Sequence, residues 1–442
     1  MFRVFKRFVW ILLLGLGFMT APAGAKLADA IPGYDGSPAY PLPPKLSLTG
    51  LYDNVASKTR AVTSGIHAYD VNTPLWSDGA HKDRYIALPT GATVTPTDTD
   101  HFDFPDGTVM VKNFSVDTVV GDARTALFVE TRFLVSRKTA TGYAYNGTTY
   151  AWRRDQSDAD LVDPRKGRND TLSVMAGGKR VGKRWHFPAA GECRTCHINR
   201  GILGFITPQL NRPAKANPSV NQLQELFAQG ILSGNPLTAN PNAMKWASLD
   251  DAGASLELRS RSYLASNCSQ CHGNSNRDYT GVSHDFDFLN AKMPTRYDAA
   301  EPGAAGPYIG KPAYADADMP QLLYPGHADS SFILKRMLAR GTFEFQNTLQ
   351  MPPLASYQPD SAALRVLADW TCTLGGKPAG AACRLPFVDN DQWAAAAVLA
   401  RNAEGTAGHG FRRATISGGR LHLSGPNRNR DYKVSGAAIR NP

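Results

Sequence analysis

The sequence predicts a multidomain α+β protein in which a β-rich N-terminal domain, sandwich or barrel-like, precedes α-helical segments. Three observations carry that expectation. Short apolar and β-branched runs alternate with turn residues from about 46 to 185, helical periodicity takes over after about 217, and the pattern Cys-x-x-Cys-His occurs twice after the β-rich stretch. With 442 residues, 42% hydrophobic and 10% aromatic, the chain has material for two or three domains and no composition of wholesale disorder.

Residues 1–25 read as an export signal. Arg3, Lys6 and Arg7 make a basic start, Phe8 to Met19 is almost wholly apolar, and Ala23-Gly24-Ala25 fits small-residue cleavage. An uncleaved anchor is the competing reading, although the apolar run is short for a bilayer span. After cleavage no transmembrane segment is expected, because no later stretch approaches the roughly eighteen uninterrupted apolar residues one needs. Export implies the periplasm, where disulfides persist. Residues 26–45, with Pro41-Leu42-Pro43-Pro44, form a Pro/Gly-rich lead-in expected to be extended and to lack a core of its own.

In the β-rich domain, 46–185, strands are expected over Asp83 to Leu88, Thr108 to Phe114 and Ala126 to Val135. Asn146-Gly147, flanked by Tyr143-Ala144-Tyr145 and Thr148 to Trp152, predicts a hairpin through a type I′ turn. Phe104-Pro105-Asp106-Gly107-Thr108 predicts a turn into a strand, with Gly107 supplying backbone freedom. Trp76-Ser77-Asp78-Gly79 and Trp152 could line a binding site, although aromatic residues at strand ends are more often core.

Residues 186–255 form a first helical segment. In it Gly201-Ile202-Leu203-Gly204-Phe205 is either core or a small apolar lining, and a helix follows with Asn217 as cap, Pro218 in the first turn, Val220, Leu223, Leu226 and Phe227 on one face and Gly230 at its end. Residues 256–385 predict a small helical domain, with helices over Leu256 to Ser266 capped by Ser255, Ser331 to Ala339, and Asp360 to Leu374. Residues 386–442 are expected to be a loosely ordered basic tail.

The two pentapeptides are Cys193-Arg194-Thr195-Cys196-His197 and Cys268-Ser269-Gln270-Cys271-His272. Each reads as an attachment site for haem c, so two covalently bound haems are expected: paired thiols add to the two vinyl groups of one porphyrin edge, and the adjacent imidazole meets the iron. The helical segments then become cytochrome c-type domains. An all-thiolate zinc site is the competing reading, but Cys193 and Cys268 lie far outside zinc-ribbon spacing, and neither pair sits in the βαβ context of a thioredoxin-like motif. Cys372 and Cys383 read as a disulfide across a Gly-rich loop, with free buried thiols as the alternative.

Thioether sulfur is a common sixth ligand of transfer haems. Met351, before Pro352-Pro353-Leu354, is the choice for the second haem, ahead of Met293 and Met319; Met337 lies within a helical pattern and reads as core. Met175, His186 and Met244 lie within reach of the first haem without a persuasive context, which leaves its sixth position open.

Lys and Arg number 48 against 38 Asp and Glu, and removal of Arg3, Lys6 and Arg7 lowers +10 to +7. That balance suits an acidic redox protein partner or an anionic membrane surface, or is simply a solvated basic surface. The basic residues are scattered and no nucleic-acid motif accompanies them.

From about Leu46 to Leu385 the chain resembles the dihaem c-type proteins of Gram-negative bacteria that carry a β-rich region before two haem segments. The resemblance rests on Leu48-Thr49-Gly50-Leu51-Tyr52, Val71-Asn72-Thr73-Pro74-Leu75-Trp76-Ser77-Asp78-Gly79, Phe104 to Thr108, Leu203-Gly204-Phe205 with Gln209-Leu210-Asn211, and Met351 to Leu354. It implies Cys193, Cys196 and His197 for one haem, and Cys268, Cys271, His272 and Met351 for the other. It supplies no reaction. The expected function is periplasmic single-electron transfer between redox partners; the alternatives are a peroxidase-like dihaem oxidoreductase with a reactive first haem, and a β-domain binding module to which the cytochrome part is subordinate.

Overall fold

The computed structural model describes residues 42–97, 102–139, 142–197, 201–272, 322–339, 350–353, 356–380, 385, 413–417, 420–425, 428–435 and 438–440. It is α+β, with the large sheet in the N-terminal half. The strands are β1 (Ile66–Tyr69), β2 (His81–Ala87), β3 (Thr95–Pro96), β4 (Phe102–Asp103), β5 (Val109–Asp117), β6 (Ala126–Thr139), β7 (Gly142–Trp152), β8 (Ala159–Leu161), β9 (Arg168–Ala176) and β10 (Lys179–Phe187). Six of them pair antiparallel in the order β1-β2-β5-β6-β7-β8, and β9 with β10 forms a two-stranded ribbon.

Alternation gives this sheet two different faces. One buries Ala87, Val109, Val111, Phe133, Val135, Tyr150 and Trp152 under Leu42, Leu46, Leu51, Tyr52 and Val55. The lead-in is therefore anchored before Leu46. Tyr150 Oη donates to the Pro43 carbonyl and Leu161 N to the Pro44 carbonyl, so residues 42–45 share the sheet's core even though they contain too little apolar surface for one of their own. The other face carries Ile86 and Met110 beneath Phe205, Leu210, Leu223 and Leu226, and Phe114, Val116 and Ala151 beneath Val174, Trp185 and Phe187 of the ribbon.

The turn before β5 forms as its residues require. Gly107 takes φ +82, and Thr108 N and Oγ1 both donate to the Pro105 carbonyl. The Asn146-Gly147 hairpin does not form: 142–152 is one unbroken strand in register with β6, Thr139 facing Gly142 and Asn146 facing Val135. Trp152 is core, its Nε1 donating to Thr131 Oγ1.

The longer helices are α1 (Ala190–His197), α2 (Gln222–Ala228), α3 (Leu256–His272), α4 (Phe332–Leu338) and α5 (Ser361–Leu374), and single turns form at Thr207–Leu210 and Pro236–Ala239. Ser255 Oγ accepts from Leu258 N and Asp360 Oδ1 from Ala363 N, the two N-terminal caps that polar residues before an apolar-periodic run provide. α2 starts four residues later than its sequence suggests. Asn221 caps it, and Asn217 turns the chain before it by accepting from Ser219 N. Phe227 is exposed, so that helix buries a narrower stripe. Tyr263, Leu264, Leu334, Met337, Leu364, Leu367 and Trp370 make the helical core.

Cys372 is disulfide-bonded; Cys383, its expected partner, lies outside the described residues, as do the signal 1–25, Met293 and Met319. In the tail the backbone forms a four-stranded antiparallel meander, β11 (Arg413–Ser417), β12 (Arg420–Gly425), β13 (Arg428–Ser435) and β14 (Ala438–Arg440), where composition suggested loose order. Its strands are short and separated by turn-forming pairs such as Gly418-Gly419 and Pro426-Asn427, a pattern that an average composition conceals. Among the described residues no helix is long and apolar enough to cross a membrane.

Candidate functional site

The two Cys-x-x-Cys-His motifs form the C-terminal ends of α1 and α3. α1 is fixed at its start by Glu192, whose carboxylate accepts from Ala189 N at 2.7 Å and meets His186 Nε2 at 2.9 Å, tying the helix to the end of β10. The helix then lies on β7. Cys193 is seated on Gly147, where an added Cβ would stand 2.5 Å from the Cys193 sulfur. A glycine in mid-strand commonly marks such a close approach, and that is the signal misread as a turn. Gly201, at φ +60, is equally tight: a Cβ there would lie 2.4 Å from the Tyr145 ring.

His197 Nδ1 meets the Gly201 carbonyl at 2.6 Å. A carbonyl only accepts, so Nδ1 carries the proton and Nε2 presents its lone pair. Burial, with the positive charges of Lys112 and Arg132 acting against the Gly201 bond, pushes the imidazole down to about 4. It is neutral at physiological pH, the form that ligates metal. Burial raises the Cys193 thiol to about 11 and the Cys268 thiol to about 12.

α3 is a buried helix with a polar surface. Ser260, Ser262, Asn267, Ser269 and Gln270 are all buried along it. Ser262, Ser269 and Gln270 donate to the helix's own carbonyls, while Ser266 and Asn267 meet the segment 71–79, an irregular strap whose backbone needs partners. Ser266 Oγ donates to the Thr73 carbonyl, and Asn267 Oδ1 accepts from Trp76 N. Gln209 accepts from Thr73 N and donates to the Thr73 carbonyl, while Asn72 donates to the Pro208 and Asn211 carbonyls. At its far end the Asp78 carboxylate accepts from Tyr357 N and Gln358 N, and Trp76 Nε1 donates to the Gln358 carbonyl. The strap thus binds the first helical segment, α3 and the chain after Met351 into one frame. Trp76 and Asp78, candidates for a binding site by sequence, are used in this joint.

The frame sets the two motifs side by side. Cys196 and Cys271 share a thiol hydrogen bond, and Cys271 Sγ lies 3.9 Å from the Thr195 carbonyl. Donation from Cys271 lowers the Cys196 thiol, and the same bond raises Cys271. The four thiols do not gather as a zinc-ribbon set would: Cys193 faces Gly147 and Cys268 packs on the helical core.

The side chain of His272 lies outside the described residues. Met351 is half-buried, its N–H donating to the Arg336 carbonyl. Met337 is core. Of the residues considered for the sixth position of the first haem, His186 has both ring nitrogens engaged, by Asn169 and Glu192, Met175 sits in β9 with its backbone bonded to Thr118 and Val120, and Met244 is exposed. Ile202 and Phe205 are core, Phe205 standing edge-on to Tyr69, Phe102 and Phe104.

A feature that sequence reading missed is a row of cations across the sheet face that carries Gly147. Arg84, Lys112 and Arg132 are direct cross-strand neighbours on β2, β5 and β6, with Thr149 next on β7. Arg84 pairs with Asp70 at 2.9 Å, and Arg132 holds the buried Glu130 through two nitrogens. Their signal in the sequence is basic residues recurring at inward positions of strands. No family model, curated protein sequence or solved structure matches the chain.

Proposed function

We propose that the chain is an exported dihaem c-type cytochrome that relays single electrons between periplasmic redox partners, with 186–255 and 256–385 as its haem segments, the second cytochrome c-like, and the β-rich domain as their frame. The observation that carries the reading is the meeting of the two pentapeptides at Cys196 and Cys271, which would bring two porphyrins close enough to exchange electrons. The residues fit the group. Cys193 and Cys196 can each add across a vinyl double bond, the S–H hydrogen passing to carbon as the S–C bond forms; His197 offers Nε2 with its tautomer fixed by Gly201; and Gly147 and Gly201 let Cys193 and the Tyr145 ring pack closely behind the motif. Cys268, Cys271 and His272, with Met351, would serve the second haem. Bound haem supplies one-electron iron chemistry, and the chain supplies covalent tether, ligand orientation and burial. A pyridine haemochrome assay on protein matured in the periplasm should give two covalent haems per chain; none would overturn the reading.

One observation favours the peroxidase-like alternative. His186 is spent on Asn169 and Glu192, so the first haem would keep an open sixth position for a small ligand. Cyanide or azide binding at one haem, seen as a spin-state change, selects the oxidoreductase; two haems that ignore both ligands select the relay.

A further inference from the structure

The cation row contains an imbalance. Arg84 and Arg132, on either side of Lys112, each have a carboxylate, Asp70 and Glu130. Lys82, on the same face, donates to the Leu75 carbonyl and lies 5.8 Å from the Phe114 ring. Lys112 stands between the two arginines, half-buried, and among the described residues no carboxylate pairs with it. Burial and the flanking charges of Arg84 and Arg132 hold its amine down to about 7. A like-charge row inside a protein is costly unless an anion completes it.

The position says where that anion would come from. Gly147, beneath Cys193, precedes Thr149 by two residues and lies in the next row along the same face, so Lys112 lies within roughly 10–15 Å of the first thioether anchor by strand spacing. Electrostatic coupling of Lys112 to Cys193 and Cys196 agrees with that proximity. We propose that Lys112 is a carboxylate-binding site beside the first motif, its occupant being a porphyrin propionate or, failing that, a small carboxylate from solution. The propionate arm rests on the dihaem reading above.

The test uses matured protein and the variants Lys112→Met and Lys112→Arg, with haem count, both reduction potentials and the propionate bending bands in resonance Raman as readouts. The proposal expects two haems in every variant. In Lys112→Met one potential falls, because an uncompensated carboxylate favours ferric iron, and one propionate band shifts; Lys112→Arg keeps both near wild type. Unchanged bands, with a formate-dependent potential that Lys112→Met abolishes, would identify the solution carboxylate instead. Two haems with unmoved potentials, unmoved bands and no formate response would overturn the site and leave the dihaem reading standing. Where Lys112→Met fails to mature, the wild-type bands decide: a Lys-paired propionate resists acid titration, and one that titrates like a solvated carboxyl contradicts the proposal. Wild type without covalent haem overturns the dihaem reading, and formate protection of the haem-free fold, present or absent, then decides Lys112 alone.

Discussion

Gly147 shows how one missing methyl can set a site. Gly147→Ala places its Cβ 2.6 Å from the Cys193 Cβ, so α1 or β7 must shift. Overpacking of this kind costs on the order of 1–3 kcal/mol. Denaturant unfolding should show that loss, and under the proposed dihaem assignment haemochrome analysis should show the haem count falling from two toward one. Asp78 acts at the same scale on the other side of the frame. Asp78→Ala strips two backbone N–H groups of their acceptor and should destabilise by about 2–4 kcal/mol, with hydrogen exchange accelerating at Tyr357 and Gln358 first. Lys112 gives a pH signature in the haem-free chain. Its folded-state pKa, about 7, lies below the unfolded value, so the unfolded chain binds more protons between the two. Stability from this group therefore rises as pH climbs from about 7 toward 10, and a pH series of urea midpoints should lose that rise in Lys112→Met.

Among the elements, α3 departs furthest from what its composition suggests. It buries Tyr263 and Leu264 in the helical core as an apolar stripe does, yet it also docks through Ser262, Ser266 and Asn267 because the neighbour on that side is irregular backbone. Substituting Asn267→Leu should thus destabilise, by about 1–3 kcal/mol, although it makes the helix more apolar, because Trp76 N–H loses its acceptor. A gain in stability on denaturant unfolding would show that the strap is not what seats α3. The caps Ser255 and Asp360 and the apolar face Leu364, Leu367 and Trp370 were legible, being local patterns. Asn146-Gly147 was not, since a dipeptide suited to a turn is also what a strand needs where a cysteine presses on it. The strap was visible only as a run of residues resembling other chains, for its partners lie more than 130 positions away in sequence, at Gln209 and Asn267.

For the whole molecule, the β-rich first half and helical second half were readable from periodicity, and the motifs from spacing. What spacing could not reveal is that Cys196 and Cys271, 75 positions apart, meet, or that three cations cross the sheet beside them. Both follow from long-range pairing, which leaves no local trace. The account depends on both pentapeptides carrying porphyrin through carbon–sulfur bonds, with the frame holding the pair together. The most direct measurement is the intact mass, after acid denaturation, of protein matured in the periplasm. The account predicts the polypeptide plus two porphyrin-iron groups, retained through denaturation; a mass equal to the bare chain, with pigment released or none present, would contradict it.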